Sequence, residues 1–125
     1  MNISNRIYAL KSLVQQACGV PVYFQLAPRD VFMSYAVIDL QTIEQVRSAT
    51  KATNWQASIN ITIYATSDTD CLTFIDQCVS AVDRAQSESW YFCRVGSVSV
   101  SANYLDKSTT WAAAAAVTLQ WTIQE

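Results

Sequence analysis

Apolar residues recur along this chain with two different periods. In two segments they return every three or four positions, which is the spacing of one face of a helix. The first segment has its apolar residues at Ile3, Ile7, Leu10, Val14 and Ala17. Gly19 and Pro21 then stand where a helix ends and cannot continue. The second segment runs from Asp68 to about Gln86, with Ser67 placed to cap its first turn. The pattern predicts two amphipathic helices.

Elsewhere apolar and polar residues alternate with period two, the spacing of a β-strand. Five segments are assigned to strands: Val20 to Leu26, about Ser34 to Gln45, Trp55 to Tyr64, Trp90 to Ser101 and Trp111 to Ile123. The second is apolar on both faces from Tyr35 to Leu40 and then turns polar, and the others alternate over all or part of their length. Alternation is clearest in the third of them, where every second residue is tryptophan, alanine or isoleucine. Five strands are therefore predicted.

The last of these strands contains a run of alanines that favours a helix on its own. The strict alternation from Val117 to Ile123 extends back through this run to Trp111, which favours a strand. Small side chains in the run would let another backbone approach closely. Ala112, Ala114 and Ala116 are therefore candidate interaction residues.

These elements predict one α+β domain over residues 1–125, in the order α-β-β-β-α-β-β. An antiparallel sheet of about four to five strands, with both helices packed on one face, satisfies the short connections. The second and third strands form a long hairpin in this arrangement. Its polar tip, residues 47–53, is expected to project with Arg47 and Lys51.

The composition points to a domain that is partly covered by other proteins. Charged residues make up 14% of the chain, against about 25% in an average soluble domain. The net charge of −2 argues against a dedicated nucleic-acid binder. No apolar run approaches the roughly 20 residues of a membrane span, and no signal peptide is recognisable, so cytoplasmic synthesis without a membrane partner is expected.

The residues of common catalytic and metal sites are scarce. The chain has no histidine and only two glycines, which removes the usual general base and any glycine-rich phosphate loop. Asp39 and Glu44 lie five apart on a strand, so they are expected on opposite faces and not as a carboxylate pair. No catalytic residue, cofactor or metal site is predicted.

The four cysteines are expected to be buried free thiols. Cys71 and Cys78 lie seven apart on the second helix, a rise of roughly 10 Å that exceeds the reach of a disulfide.

Charge is unevenly distributed. The segment from Asp68 to Glu88 holds five acidic residues and one arginine, a net charge of −4. Asp76 and Asp83, seven apart, are expected on a helix face outside the apolar stripe. The basic candidates are Arg29, before the second strand, and the tip residues. The acidic helix and the basic loops are candidate interaction surfaces.

The order of segments carries a further signal. The first helix is followed by PVYFQLAP and SYAVIDLQT, then by NWQASINITIYATS, a helix ending IDQCVSAVDRAQ, and VTLQWTIQ. Over almost the whole chain, this order and spacing resemble the tail terminator, or tail completion, proteins of long-tailed bacteriophages. The chain departs from the family in its very short acidic tail and its alanine-rich last strand.

The resemblance implies a structural virion protein, located in the tail or neck and assembled in the host cytoplasm. It implies a ring of six copies that caps the tail tube, ends tail polymerisation and offers a surface for head–tail joining. The implied partners are other copies, the tail tube protein, a connector or stopper protein, and DNA that passes through the lumen without sequence-specific binding. The tip at Arg47 and Lys51 matches the family's projecting loop, near ring contacts or the DNA channel.

Three alternatives stay open at this stage. One is another phage neck component, such as a stopper or joining protein. The second is a cellular protein-binding module, which would be a monomer with a concave apolar pocket. The third is an enzyme, which would need a cleft with convergent carboxylates and tyrosines.

Overall fold

The computed structural model describes residues 3–27, 34–49, 52–105 and 108–124. Its elements are α1 (Ile3–Cys18), β1 (Val22–Phe24), β2 (Tyr35–Ala49), β3 (Ala52–Ala65), α2 (Asp68–Val82), β4 (Phe92–Leu105) and β5 (Ser108–Gln124). The α+β class and the order of elements are confirmed.

The strands form one sheet in the order β1-β2-β3-β5-β4. The four long strands are antiparallel to their neighbours, as predicted, but β1 pairs with β2 in parallel, so the sheet is mixed. β1 is also much shorter than predicted. Gln25 adopts a left-handed backbone conformation with φ 68°, which turns the chain out of the strand after three residues.

Both helices pack on one face of this sheet and against each other. The buried helix residues are Ile7, Leu10, Val14 and Cys18 of α1 and Cys71, Ile75, Cys78 and Val82 of α2. The buried strand residues follow the period-two pattern, with Ala57, Ile59, Ile61 and Ile63 on β3 and Ala113, Ala115, Val117, Leu119 and Trp121 on β5. The core is thus the layer between the helices and one face of the sheet.

The alanine-rich segment is a strand, as the alternation predicted. β5 lies between β3 and β4, so the ladders on both sides use its backbone hydrogen bonds. Ala113 and Ala115 are fully buried on the helix side of the sheet, and α2 packs against β5 on that side. Tertiary pairing and burial therefore outweigh the local helix preference of alanine.

Both hairpins are longer than predicted. β2 continues to Ala49, so Arg47 lies within the ladder, paired with Asn54, and the prediction of a tip that includes Arg47 is wrong. In the second hairpin, β4 continues past its predicted end at Ser101 to Leu105, which pairs with Ser108. Backbone hydrogen bonds can extend a hairpin whatever its side chains are. The alternation that predicts a strand from sequence is lost where all residues are polar, so the predicted strands end too early. Lys51 and Arg29 lie outside the described residues.

A β-bulge overturns the prediction for Asp39 and Glu44. The ladder pairs them with Asn60 and Gln56, which lie four apart on β3 and therefore share a face. The register of β2 shifts between Leu40 and Thr42, where β2 has one extra residue. This bulge reverses the alternation of the side chains that follow it, as far as a second register shift between Gln45 and Arg47. Both carboxylates lie on the face away from the helices.

α2 begins where predicted and ends earlier. The side chain of Ser67 accepts a hydrogen bond from the backbone N–H of Asp70 at 3.1 Å, which confirms its role as N-cap. The helix ends at Val82, because Asp83 is extended and Arg84 adopts a left-handed conformation with φ 61°. Asp83 therefore leaves the helical face on which it was predicted to lie with Asp76.

All four cysteines are buried free thiols, as predicted. Thiol titration in denaturant should find about four groups per chain, and two or fewer would contradict the assignment.

Burial gives these thiols a measurable effect on stability at high pH. Burial, aided by the nearby carboxylate of Asp83, raises the pKa of Cys93 from its ordinary value of 9.0 to about 11. Thiols of the unfolded chain ionise near pH 9 while Cys93 stays neutral in the fold. Stability that is present below pH 9 is therefore lost as the pH rises through 11. We expect a loss of about 2–3 kcal/mol in the free energy of unfolding from this group.

Urea unfolding at about pH 8 and about pH 11 measures this loss. Cys93→Ala is the control, because it removes the titrating group, and its stability should fall less steeply over the same range. Equal slopes for the two proteins would contradict the prediction.

Candidate functional site

The face of the sheet that carries neither helix, here called the open face, is built along β3 and β5 from small and uncharged polar side chains, whereas β2 and β4 add Asp39, Glu44 and Arg94. β3 presents Gln56, Ser58, Asn60, Thr62 and Tyr64, and β5 presents Ala112, Ala114, Ala116, Thr118 and Gln120. All ten are half-buried by their neighbours within the sheet. Because side chains alternate along each strand, the larger apolar residues face the core and these ten small or polar residues face away from it.

A row of hydrogen bonds crosses the open face near one end. The amide of Gln120 donates to the side-chain oxygen of Gln56 at 2.7 Å, and the amide of Gln56 reaches the carboxylate of Glu44 at 3.4 Å. The hydroxyl of Tyr91 donates to Gln120 at 3.2 Å. These polar groups satisfy one another, which holds their side chains along the surface.

Three tyrosines occupy the other end of the open face. The rings of Tyr35 and Tyr64 stack with centroids 4.9 Å apart, and Tyr23 meets Tyr35 edge-on at 6.1 Å. Burial and the two neighbouring phenols raise the pKa of Tyr35 above its ordinary value of 10.0.

The predicted small-residue stretch splits between the two faces. Ala113 and Ala115 belong to the core, whereas Ala112, Ala114 and Ala116 lie on the open face. On that face each of the three is flanked in the ladders by a serine of β4, at Ser97, Ser99 or Ser101. The result is a shallow strip of small side chains along the middle of the open face.

The first part of the β4 edge is closed by the end of α2. The backbone N–H of Arg84 donates to the carbonyl of Cys93 at 2.8 Å. The carboxylate of Asp83 accepts from the N–H of Val95 at 2.9 Å and lies 3.4 Å from the guanidinium of Arg94. Asp83 thus acts mainly within the chain, and the acidic outward surface of α2 consists of Asp68, Asp70 and Asp76, all exposed.

The rest of the β4 edge is open within the described chain. From Ser97 onward, β4 pairs with β5 on one side and with none of the described residues on the other. Val98 and Val100 point to the same face as the core, yet they are 46% and 45% exposed. They form an uncovered apolar strip beside α2.

The opposite edge of the sheet carries an apolar groove. β1 covers β2 only from Ala36 to Ile38, and the side chain of Gln25 accepts from the N–H of Leu40 at 2.6 Å. Where β1 ends, a groove of about 310 Å³ lies between α1 and the strands. It is lined by Ile3, Ser4, Ile7, Tyr8, Lys11, Phe24 and Leu40. Tyr8 is 70% exposed. Sequence periodicity did not reveal this groove, because it depends on how little of β2 is covered by β1.

The described residues contain no group of three or more side chains that could hold a metal ion, and none of their polar or charged residues is buried. No helix in the described part of the chain is long and apolar enough to cross a membrane. A second cavity, of about 510 Å³, lies at the start of β4 and is lined by Arg84, Ala85, Gln86, Ser87, Trp90, Tyr91, Phe92, Cys93 and Arg94. It is open and carries two arginines without a buried acid or base beside them.

Comparison with known proteins adds one finding about the fold. No family model matches the chain, and no curated protein matches it. Among solved structures, the fold is similar to that of a chain in a structure described as the virion of a native gene transfer agent (GTA) particle. The TM-score is 0.58 at 12% identity, and the match covers 89% of this chain and 82% of the other. At this identity the likeness concerns the fold alone.

Proposed function

We propose that this protein is a structural component of a phage or phage-like virion. It forms a ring of six copies that caps the tail tube, ends tail polymerisation and provides the surface for head–tail joining. The observation that carries the proposal is the fold, which this protein shares over nearly its whole length with a chain of a GTA virion particle. The sequence resemblance to tail terminator proteins supports the specific position at the tail end.

The open face suits the lining of a channel through which DNA moves. A protein holds DNA mainly by placing lysine and arginine against the phosphates. The ten side chains of β3 and β5 on this face are uncharged, so they offer little to hold a phosphate. A surface of small and amide side chains would let DNA pass without sequence-specific binding. In this arrangement the helices face outward.

The two ends of the ring would then meet different partners. The tail tube protein binds one end and a connector or stopper protein binds the other. The fold likeness to a virion chain also fits a stopper or joining protein, which is the alternative that the experiment must separate.

Deletion of the gene, followed by electron microscopy of the particles, tests the proposal. Without the cap, tails should continue to polymerise, so we expect overlong tails of variable length and heads without tails. A tagged copy should restore uniform tails and appear as a six-fold ring at the head-proximal end of the tail. Tails of normal length that fail to join heads would instead indicate a stopper or joining protein, and normal particles would refute both.

A further inference from the structure

The two edges of the sheet carry apolar groups on the same face and at the same height, meaning in the same row of paired residues across the strands. The ladders connect Phe24 of β1 to Val98 of β4 through one row of paired residues: Phe24, Ile38, Ile61, Ala115 and Val98. The next row connects Val22 to Val100 in the same way. The groove beside Phe24 and the strip of Val98 and Val100 therefore lie level, on the helix side, at opposite edges.

On the open face, charged groups of the two edges also lie at about the same height. Arg94 of β4 lies in the row that ends at Thr42 of β2. Asp39 and Glu44 flank Thr42 on that face, because the bulge turns both carboxylates to the same side. The side chain of Arg94 is 47% exposed beside Asp83, and both carboxylates belong to exposed or half-exposed residues bound to glutamine amides. One edge thus presents an arginine that is paired with Asp83, and the other presents two carboxylates on either side of the same row.

The outlines of the two edges are complementary as well. The β4 edge is widened at Cys93 to Val95 by the end of α2, and from Ser97 onward no described residue pairs with its outer side. The β2 edge is widened by β1 at the height of Val98, whereas at the height of Arg94 none of the described residues pairs with its outer side. A projection on each edge therefore faces a recess on the other.

We propose that the α2–β4 edge of one copy docks at equal height against the α1–β1–β2 edge of the next copy. Val98 and Val100 cover the groove beside Phe24, and Arg94 faces Asp39 and Glu44. β4 runs antiparallel to β2 in the sheet, so neighbouring copies meet with their edge strands in the antiparallel sense. The occupant is a second copy, because the apolar, charged and shape features of one edge each have their counterpart on the other.

This contact joins two unlike surfaces, so it repeats head to tail and generates a ring when the rotation closes. The inference rests on the proposed ring and adds the surfaces that build it. It places the open face of every copy on one side of the ring wall and the helices on the other.

Cysteine cross-linking tests the contact. The variant that combines Phe24→Cys with Val98→Cys should form, in oxidised particles, a ladder of linked chains that ends at six. Either single variant should give no ladder, since each copy then contributes a cysteine to only one side of the contact. The four native thiols are buried, so any cross-linking of the protein without added cysteines gives the background level. Dimers from Val98→Cys alone would show that like edges meet, and would overturn the proposal.

A charge exchange supplies a second readout that does not depend on oxidation. Arg94→Glu should lower the yield of capped tails by about tenfold, which corresponds to about 1.4 kcal/mol. Glu44→Arg should restore most of that yield when it is combined with Arg94→Glu. Loss of the ion pair with Asp83 should lower the melting temperature of the isolated chain to the same extent in the single and the double variant, so a recovered yield reports on the contact and not on folding. Failure of the exchange to restore the yield would overturn the contact.

The two proposals fail differently. A six-fold ring at the tail end without a cross-linked ladder would overturn this contact and leave the proposed function intact. A chain that is absent from the tail end would overturn the proposed function, and the contact with it.

Discussion

Replacement of Ala115 with tryptophan should prevent folding, whereas the same replacement one residue earlier, at Ala114, should leave the fold intact. Ala115 is fully buried on the helix side of the sheet, in the row between Ile61 and Val98. Extra methylenes in a packed core typically cost about 1–3 kcal/mol. An indole adds far more volume, so its cost is expected to approach the roughly 5–15 kcal/mol that holds a typical domain together. Ala114 is half-buried on the open face, where neither helix limits the space.

Circular dichroism and thermal unfolding of the two variants measure this contrast. Ala115→Trp should lack a cooperative transition or be recovered only as aggregate. Ala114→Trp should melt within a few degrees of the parent, because surface replacements usually change stability by less than about 0.5 kcal/mol. Equal destabilisation of both would contradict the assignment of faces on β5.

The Ala114→Trp variant also reports on the proposed channel. If the open face lines the lumen, six added indoles should reduce DNA delivery while rings still assemble and tails keep their length. Full infectivity of particles that contain the variant would argue against an open face directed at the lumen.

The Trp121→Ala variant should lose about 3–5 kcal/mol of unfolding free energy, the usual cost of truncating a buried aromatic residue. Trp121 is 1% exposed and is among the largest side chains in the core. The guanidinium of Arg6 lies 5.7 Å from its ring centroid and also donates to the carbonyl of Ser89 at 2.9 Å. The indole therefore joins α1, β5 and the segment before β4, and its loss leaves a cavity at their junction.

Urea unfolding measures this loss, with Trp111→Ala as the matched control on the same strand. Trp111 is only half-buried, so its truncation should cost clearly less. Trp121→Phe should recover part of the stability, because a smaller ring still fills part of the space. A loss below about 1 kcal/mol for Trp121→Ala would show that the site collapses or that the packing differs.

The sequence by itself was sufficient for the two helices, the alternation of the long strands and the free thiols. These features depend on residues close together in the chain. Leu10 and Val14 define a helix face by their spacing, and Ile59, Ile61 and Ile63 define a strand face by theirs. Even the alanine-rich strand could be assigned, because Val117 to Ile123 sets the phase of its alternation.

Only the tertiary structure decided which strands are neighbours and where the registers shift. The parallel pairing of β1, the shared face of Asp39 and Glu44, and the role of Asp83 at the β4 edge each depend on partners distant in the chain. A bulge residue reverses the faces of the side chains that follow it, up to the next bulge, without changing the local pattern of polar and apolar residues. Phe24 and Val98 lie in the same row because of the registers of all four strand pairs that separate them. Periodicity determines the faces of each element, whereas hydrogen bonding between distant segments determines how those faces are combined into a surface.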